Sequence, residues 1–125
     1  MDAWDEAGLG LDYREVRLTR ASVEWLKAGA DLRNRVRHRL RGVAADVEVV
    51  GSSSILGLLA KPIVDLAVAL DTSHSIRVVT ERLQTDGWIY RGDAGSQGGH
   101  IFVLETRPWH RVAHLHVVEH RGVQW

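Results

Sequence analysis

The chain has 125 residues, with Lys plus Arg and Asp plus Glu balanced at 16 each, so no global field recruits nucleic acid or a membrane, and any phosphate recognition must be local. There are no cysteines, which excludes a disulfide framework, thiolate catalysis and Cys-ligated zinc and suits a reducing cytoplasm. The length fits one domain over 1–125, able to bury about two-thirds of its unfolded surface.

The opening Met-Asp-Ala-Trp-Asp-Glu has neither the basic start nor the apolar core of a signal peptide. From Thr19 to Val43, apolar residues at Leu32, Val36, Leu40 and Val43 recur at three and four, which predicts an amphipathic helix with Trp25 and Leu26 on or near its buried stripe. Gly29 is the place where that helix would split or weaken. Arg33, Arg35, Arg37, Arg39 and Arg41 form a basic run on it. Residues two apart fall on different helix faces, so the run reads as a solvated surface rather than a nucleic-acid contact.

A strand is predicted over Val47 to Val50, a turn or short helix over Ser52 to Leu59, and a core strand over Ile63 to Leu70. Lys61 and Asp65 interrupt this longest apolar run, so it cannot span a bilayer. Asp71-Thr72-Ser73 then caps a helix from His74 to Gln84, and Asp86-Gly87 ends it. Trp88-Ile89-Tyr90 and His100 to Leu104 read as a hairpin whose tip is the glycine-rich stretch Gly92 to Gly99. A last strand, Val112 to Val118, follows a turn centred on Pro108. This order predicts an α/β (α+β) domain, a mixed sheet with helices packed on it.

Residues 49 to 65 carry the clearest chemistry. An apolar run ends in Gly51-Ser52, and a missing side chain there lets a ligand approach the peptide N–H groups. Ser52, Ser53 and Ser54 offer hydroxyls and, if a helix opens here, an N-cap with a positive dipole end that favours anions. Asp65 is costly to bury unpaired, so it should face a cleft, a cation or a metal, with Lys61 the nearest cation. The stretch from Gly51 to Lys61 is not a P-loop, because its spacing differs and no Ser or Thr follows the lysine. The tip glycines Gly92, Gly95 and Gly98 lead into a strand and read as a hairpin end.

In these features the chain resembles the GrpB family, a branch of the nucleotidyltransferase-like superfamily. The superfamily pattern is a hydrophobic residue, Gly-Ser and a carboxylate on the next strand, matched by Val50-Gly51-Ser52 and Asp65. The family's longer motif is matched from Gly51 through Asp65, and its late His-x-His strand by His114-Leu115-His116. The resemblance is good over about residues 40 to 119. It departs at Ala67, where an active nucleotidyltransferase would carry a second metal-binding carboxylate, and at Ile55-Leu56-Gly57, where the family's proline is missing. The family's C-terminal helical tail is expected to be absent, leaving an exposed C-terminal edge as a candidate surface for self-association.

On a strand, residues two apart share a face, so His114 and His116 would stand side by side. The resemblance implies a site in which Asp65, His114 and His116 hold a divalent cation, Mg²⁺ or Mn²⁺. It further implies that Gly51, Ser52, Ser53 and Lys61 hold phosphate, and that Asp65 and Lys61 are the catalytic candidates. His38, His74, His100, His110 and His120 read as solvent-exposed. Of five tryptophans, Trp25 and Trp88 should fill the core, while Trp4, Trp109 and Trp125 sit at the periphery, Trp109 being placed where it could stack on a base. The expected ligand is a nucleotide or other phosphate-bearing small molecule, with no membrane or nucleic-acid partner. The single carboxylate favours a binding module over an active metal-dependent nucleotidyltransferase, and a non-catalytic interaction scaffold is the remaining alternative.

Overall fold

The computed structural model describes residues 3–70, 76–93 and 99–119. In chain order it runs through a short helix α1 (Ala3–Glu6), strands β1 (Leu11–Asp12) and β2 (Thr19–Arg20), and the long helix α2 (Val23–Arg39). Strand β3 (Ala44–Val50), a 3-10 turn over Ser52–Ser54, and strands β4 (Leu59–Ala60) and β5 (Val64–Leu70) follow. Helix α3 (Ile76–Gln84) then leads to strands β6 (Trp88–Asp93), β7 (His100–Arg107) and β8 (His110–Glu119).

Helix α2 starts later than its apolar spacing alone suggests, because Ser22 caps it. The Ser22 backbone is extended, and its hydroxyl accepts the Trp25 N–H at 3.3 Å, which satisfies one of the helix's orphan donors. Thr19–Arg20 are strand instead, paired antiparallel with Leu59–Ala60. Trp25, Gly29, Leu32 and Val36 form the buried stripe. Gly29 does not split the helix. A Cβ there would stand 3.3 Å from Val49 Cγ1, so glycine is what lets α2 lie close against β3. Beyond the helix, Leu40 and Val43 are buried and tie the following turn to the core, each such aliphatic burial contributing about 2 kcal/mol.

The large sheet has the order β3-β5-β8-β7-β6, and β1 pairs with the start of β8. Strands β5 and β8 are parallel, while the other pairings in this sheet are antiparallel. A parallel pair needs a crossover, here supplied by α3 and the β6–β7 hairpin. Val64, Leu66, Val68 and Leu70 of β5 join Leu115 and Val117 of β8, Phe102, and the apolar stripes of α2 and α3 in one core. The period-two alternation therefore sends Asp65, Ala67, His114 and His116 to the opposite face.

Trp25 and Trp88 lie in this core as expected, and Trp109 is 66% exposed. His38 is exposed as expected, whereas His100 is half-buried with Nδ1 2.8 Å from the Tyr90 hydroxyl. His110 corrects the expectation of exposure outright: it is 7% exposed. Strand β1 covers it, with Asp12 Oδ1 2.7 Å from its Nδ1 and the Gly10 backbone against its ring. The predicted Asp71-Thr72-Ser73 cap, His74, His120, Trp125, the C-terminal edge beyond Glu119 and the tip at 94–98 lie outside the described residues. Among the described residues no helix is long and apolar enough to cross a membrane.

Candidate functional site

Strand β3 ends at Val50, which pairs with Asp65. Gly51 follows with φ 82° and ψ 176°, a backbone region essentially restricted to glycine. Its bare Cα faces the carboxylate: a Cβ there would lie 3.0 Å from Asp65 Oδ2. The three serines then form a single 3-10 turn instead of opening an α-helix, so they supply turn amides without a helix dipole. Ser54 closes that turn by donating its hydroxyl to the Gly51 carbonyl at 2.6 Å. Ser52 is exposed, while Ser53 is buried and its hydroxyl oxygen has no hydrogen-bond partner. Of the two hydroxyls predicted to hold phosphate, only that of Ser52 is open to solvent.

Strand register brings the rest together. Asp65 lies opposite His114, and Ala67 opposite His116. Asp65 Oδ1 is 3.7 Å from His114 Nδ1 and 3.8 Å from His116 Nε2. Register therefore puts an imidazole beside the position where a second strand carboxylate is missing. On the other side of Ala67 stands Glu48, a carboxylate not expected at the site from sequence. It faces Arg33 at 3.8 Å. Lys61 is exposed and forms no ion pair with Asp65 or any other described residue, but its charge acts on His114.

That charge matters because His114, 25% exposed, is held below the usual histidine range. Burial is the main cause, the Asp65 carboxylate opposes it, and the neighbouring Arg111, His116 and Lys61 act with it. In the unfolded chain the same imidazole takes a proton near its ordinary value of about 6.5. Between the two values the unfolded state binds more protons, so stability rises with pH across this window and is lost as pH falls through it. Urea denaturation at pH 7.5 and 5.5 should show a larger acid loss for the wild type than for His114→Gln. Equal losses would remove His114 as the source.

For bonds of 2.0–2.1 Å in a tetrahedral site, neighbouring ligand atoms sit roughly 3.3 Å apart, somewhat closer than the separations around Asp65. Among the described residues, no three His, Asp or Glu side chains are grouped so as to hold an ion as they stand. The donor types nonetheless fit a divalent cation, and a mixed nitrogen and oxygen set suits Mn²⁺ better than Mg²⁺, which favours oxygen. Four of the five arginines in the run have partners, one of them Glu48 beside the site. Arg33 and Arg37 face Glu48 and Asp46, Arg39 makes a two-pronged contact with Asp86 at 2.7 and 2.8 Å, and Arg41 lies 3.2 Å from His38 Nδ1.

The glycine-serine turn and the strand carboxylate it faces sit on a mixed sheet with nucleotidyltransferase-like fold similarity. The fold accordingly resembles the crystal structure of the Cid1 poly(U) polymerase with MgGTP bound, with a TM-score of 0.53 at 18% identity over 82% of this chain and 34% of that one. The chain belongs to the GrpB family, whose model, GrpB protein, matches residues 15–125. It is 27% identical over 120 residues to the glutamate-rich protein GrpB of Alkalihalophilus pseudofirmus, covering 94% of this chain and 69% of that relative. Identity to a UPF0157 protein of Streptomyces coelicolor is 34% over 110 residues, covering 88% of this chain and 55% of that one. The crystal structure of the conserved protein GrpB from Enterococcus faecalis superimposes with a TM-score of 0.75 at 23% identity, over 86% of this chain and 64% of that one. The chain thus spans between about half and two-thirds of the length of these relatives.

Proposed function

We propose that the open sheet face around Gly51 and Asp65 binds the phosphate groups of a nucleotide together with a divalent cation. The observation that carries this reading is the approach of the Gly51 backbone to Asp65, with two imidazoles within 4 Å of the same carboxylate. In it, Asp65, His114 and His116 hold the cation, preferably Mn²⁺ over Mg²⁺, while the Gly51–Ser52 turn and Lys61 meet phosphate oxygens. Ser53 takes part only if its buried hydroxyl turns outward. The lack of cysteine supports a place in the cytoplasm.

Binding is favoured over transfer because two-metal phosphoryl chemistry rests on several carboxylates, and Ala67 stands where the second would be. The likeness in fold to a polymerase keeps nucleotidyl transfer, with Asp65 and Lys61 as its catalytic residues, as the second reading.

The test is a thermal-shift screen of nucleoside triphosphates with and without Mn²⁺ or Mg²⁺. A ligand at a hundred times its dissociation constant adds about 2.7 kcal/mol of stability, and this gain should require the metal and disappear in Asp65→Asn while the variant stays folded. No metal-dependent shift with any nucleotide, or the same shift in Asp65→Asn, would sink the reading.

A further inference from the structure

The turn joining β7 to β8 carries a residue its backbone disfavours. Arg107 pairs with His110 across it, leaving Pro108 and Trp109 at the two central positions. Proline presets φ at the first. The second has φ 65°, a left-handed conformation that turns normally assign to glycine or asparagine. Burial does not offset the strain, since Trp109 is 66% exposed.

The ring is nevertheless held in place. The Trp109 N–H donates to Glu105 Oε2 at 3.3 Å, and its carbonyl accepts the Tyr13 N–H at 3.1 Å. The Tyr13 ring meets Trp109 edge-on, with centroids 5.4 Å apart and planes at 89°. Tyr13 in turn hydrogen-bonds Glu105 and Arg91, and the Arg111 guanidinium lies 4.7 Å from its ring centroid. A cavity of about 750 Å³ opens beside the pair, lined by Asp12, Tyr13, Arg14, Arg107, Pro108 and Trp109, within the size range of small-ligand pockets.

A strained, exposed and fixed indole beside an open cavity is a stacking platform, and arginines at its rim suit a flat ligand that carries polar edges and phosphate. We infer that Tyr13 and Trp109 form a stacking subsite for a nucleobase, with Arg14 meeting its polar edge and Arg107, which faces Asp5 at 3.5 Å, beside it. This rests on the reading of the Asp65 face as a nucleotide site and assigns the base end of that ligand. Arg111 joins the two regions: it touches the Tyr13 ring and precedes His114 by three residues, about 10 Å along the strand.

The test uses the full chain and two variants, Trp109→Asn, which removes the ring while tolerating the left-handed backbone, and Trp109→Phe, which keeps a ring. Far-UV circular dichroism checks that both fold. Purine and pyrimidine nucleoside triphosphates with Mn²⁺ should bind Trp109→Asn about tenfold more weakly than wild type, with most of the loss restored in Trp109→Phe. Inorganic tripolyphosphate with Mn²⁺ should bind all three proteins equally. Unchanged nucleotide affinity in Trp109→Asn, or an equal loss for tripolyphosphate, overturns the inference. If tripolyphosphate does not bind the wild type, the Asp65 reading fails and adenosine without metal decides the stacking site. Saturable quenching of tryptophan fluorescence that is absent in Trp109→Asn upholds it, and no quenching overturns it.

Discussion

Gly10→Ala is expected to destabilise the fold by about 3 to 4 kcal/mol, through two additive effects. Gly10 has φ 119°, where an L-residue is strained by roughly 1–3 kcal/mol. The new methyl group would also overlap His110 Nε2, on a ring that is buried under strand β1. Moving the ring breaks the contact between Nδ1 and Asp12 at 2.7 Å and leaves polar groups poorly paired, a loss of about 1–3 kcal/mol. Urea denaturation of the single variants and the double variant with His110→Ala separates the two effects. In the His110→Ala background, Gly10→Ala should retain only the backbone part. The same penalty in both backgrounds would show that His110 does not clash.

Gly51→Ala should be the next most costly change, with a loss of about 2 kcal/mol in stability and of metal-dependent nucleotide binding. Its φ 82° and ψ 176° lie outside the left-handed helical region that asparagine tolerates, so Gly51→Asn should be no better than Gly51→Ala. The added Cβ would press on Asp65 Oδ2 at 3.0 Å and fill the gap through which, on the proposed reading, a phosphate would reach the turn amides. Measured side by side, Asp65→Asn should keep stability and lose binding, whereas Gly51→Ala should lose both. A Gly51→Ala protein as stable as the wild type would mean that this turn has a second low-energy path.

The elements with long apolar periods were legible from sequence: α2, α3, the β6–β7 hairpin and the strands carrying Asp65 and the His-x-His pair. Periodicity reads the face and misses the ends. Ser22 moves the start of α2, and β3, β7 and β8 each run beyond their apolar stretches because paired polar residues extend them. The segment before Thr19 was unread, since a two-residue strand such as β1 cannot display alternation. Its visible mark was Leu9 between Gly8 and Gly10, two glycines with positive φ. Burial of His110 follows from that segment, so position on β8 alone could not reveal it.

At the site, the family resemblance singled out residues that register then brings together, Val50 with Asp65 and the two histidines with β5. Spacing could not tell which serine turns inward, because that depends on a single 3-10 turn. It also passed over Glu48, which comes beside Ala67 only through antiparallel pairing, and over the support that Tyr13 gives Trp109 from far away in the chain.

The position of β8 has a consequence for biosynthesis. It is the last described strand to leave the ribosome, yet β1, β5 and β7 all depend on it as a neighbour. Until it emerges, each of these strands has an unpaired backbone edge, the kind of surface that favours aggregation during folding. A ribosome that stalls before His110 would therefore release a chain without that neighbour, and the cluster of Asp65 with His114 and His116 can form only once synthesis has passed His116.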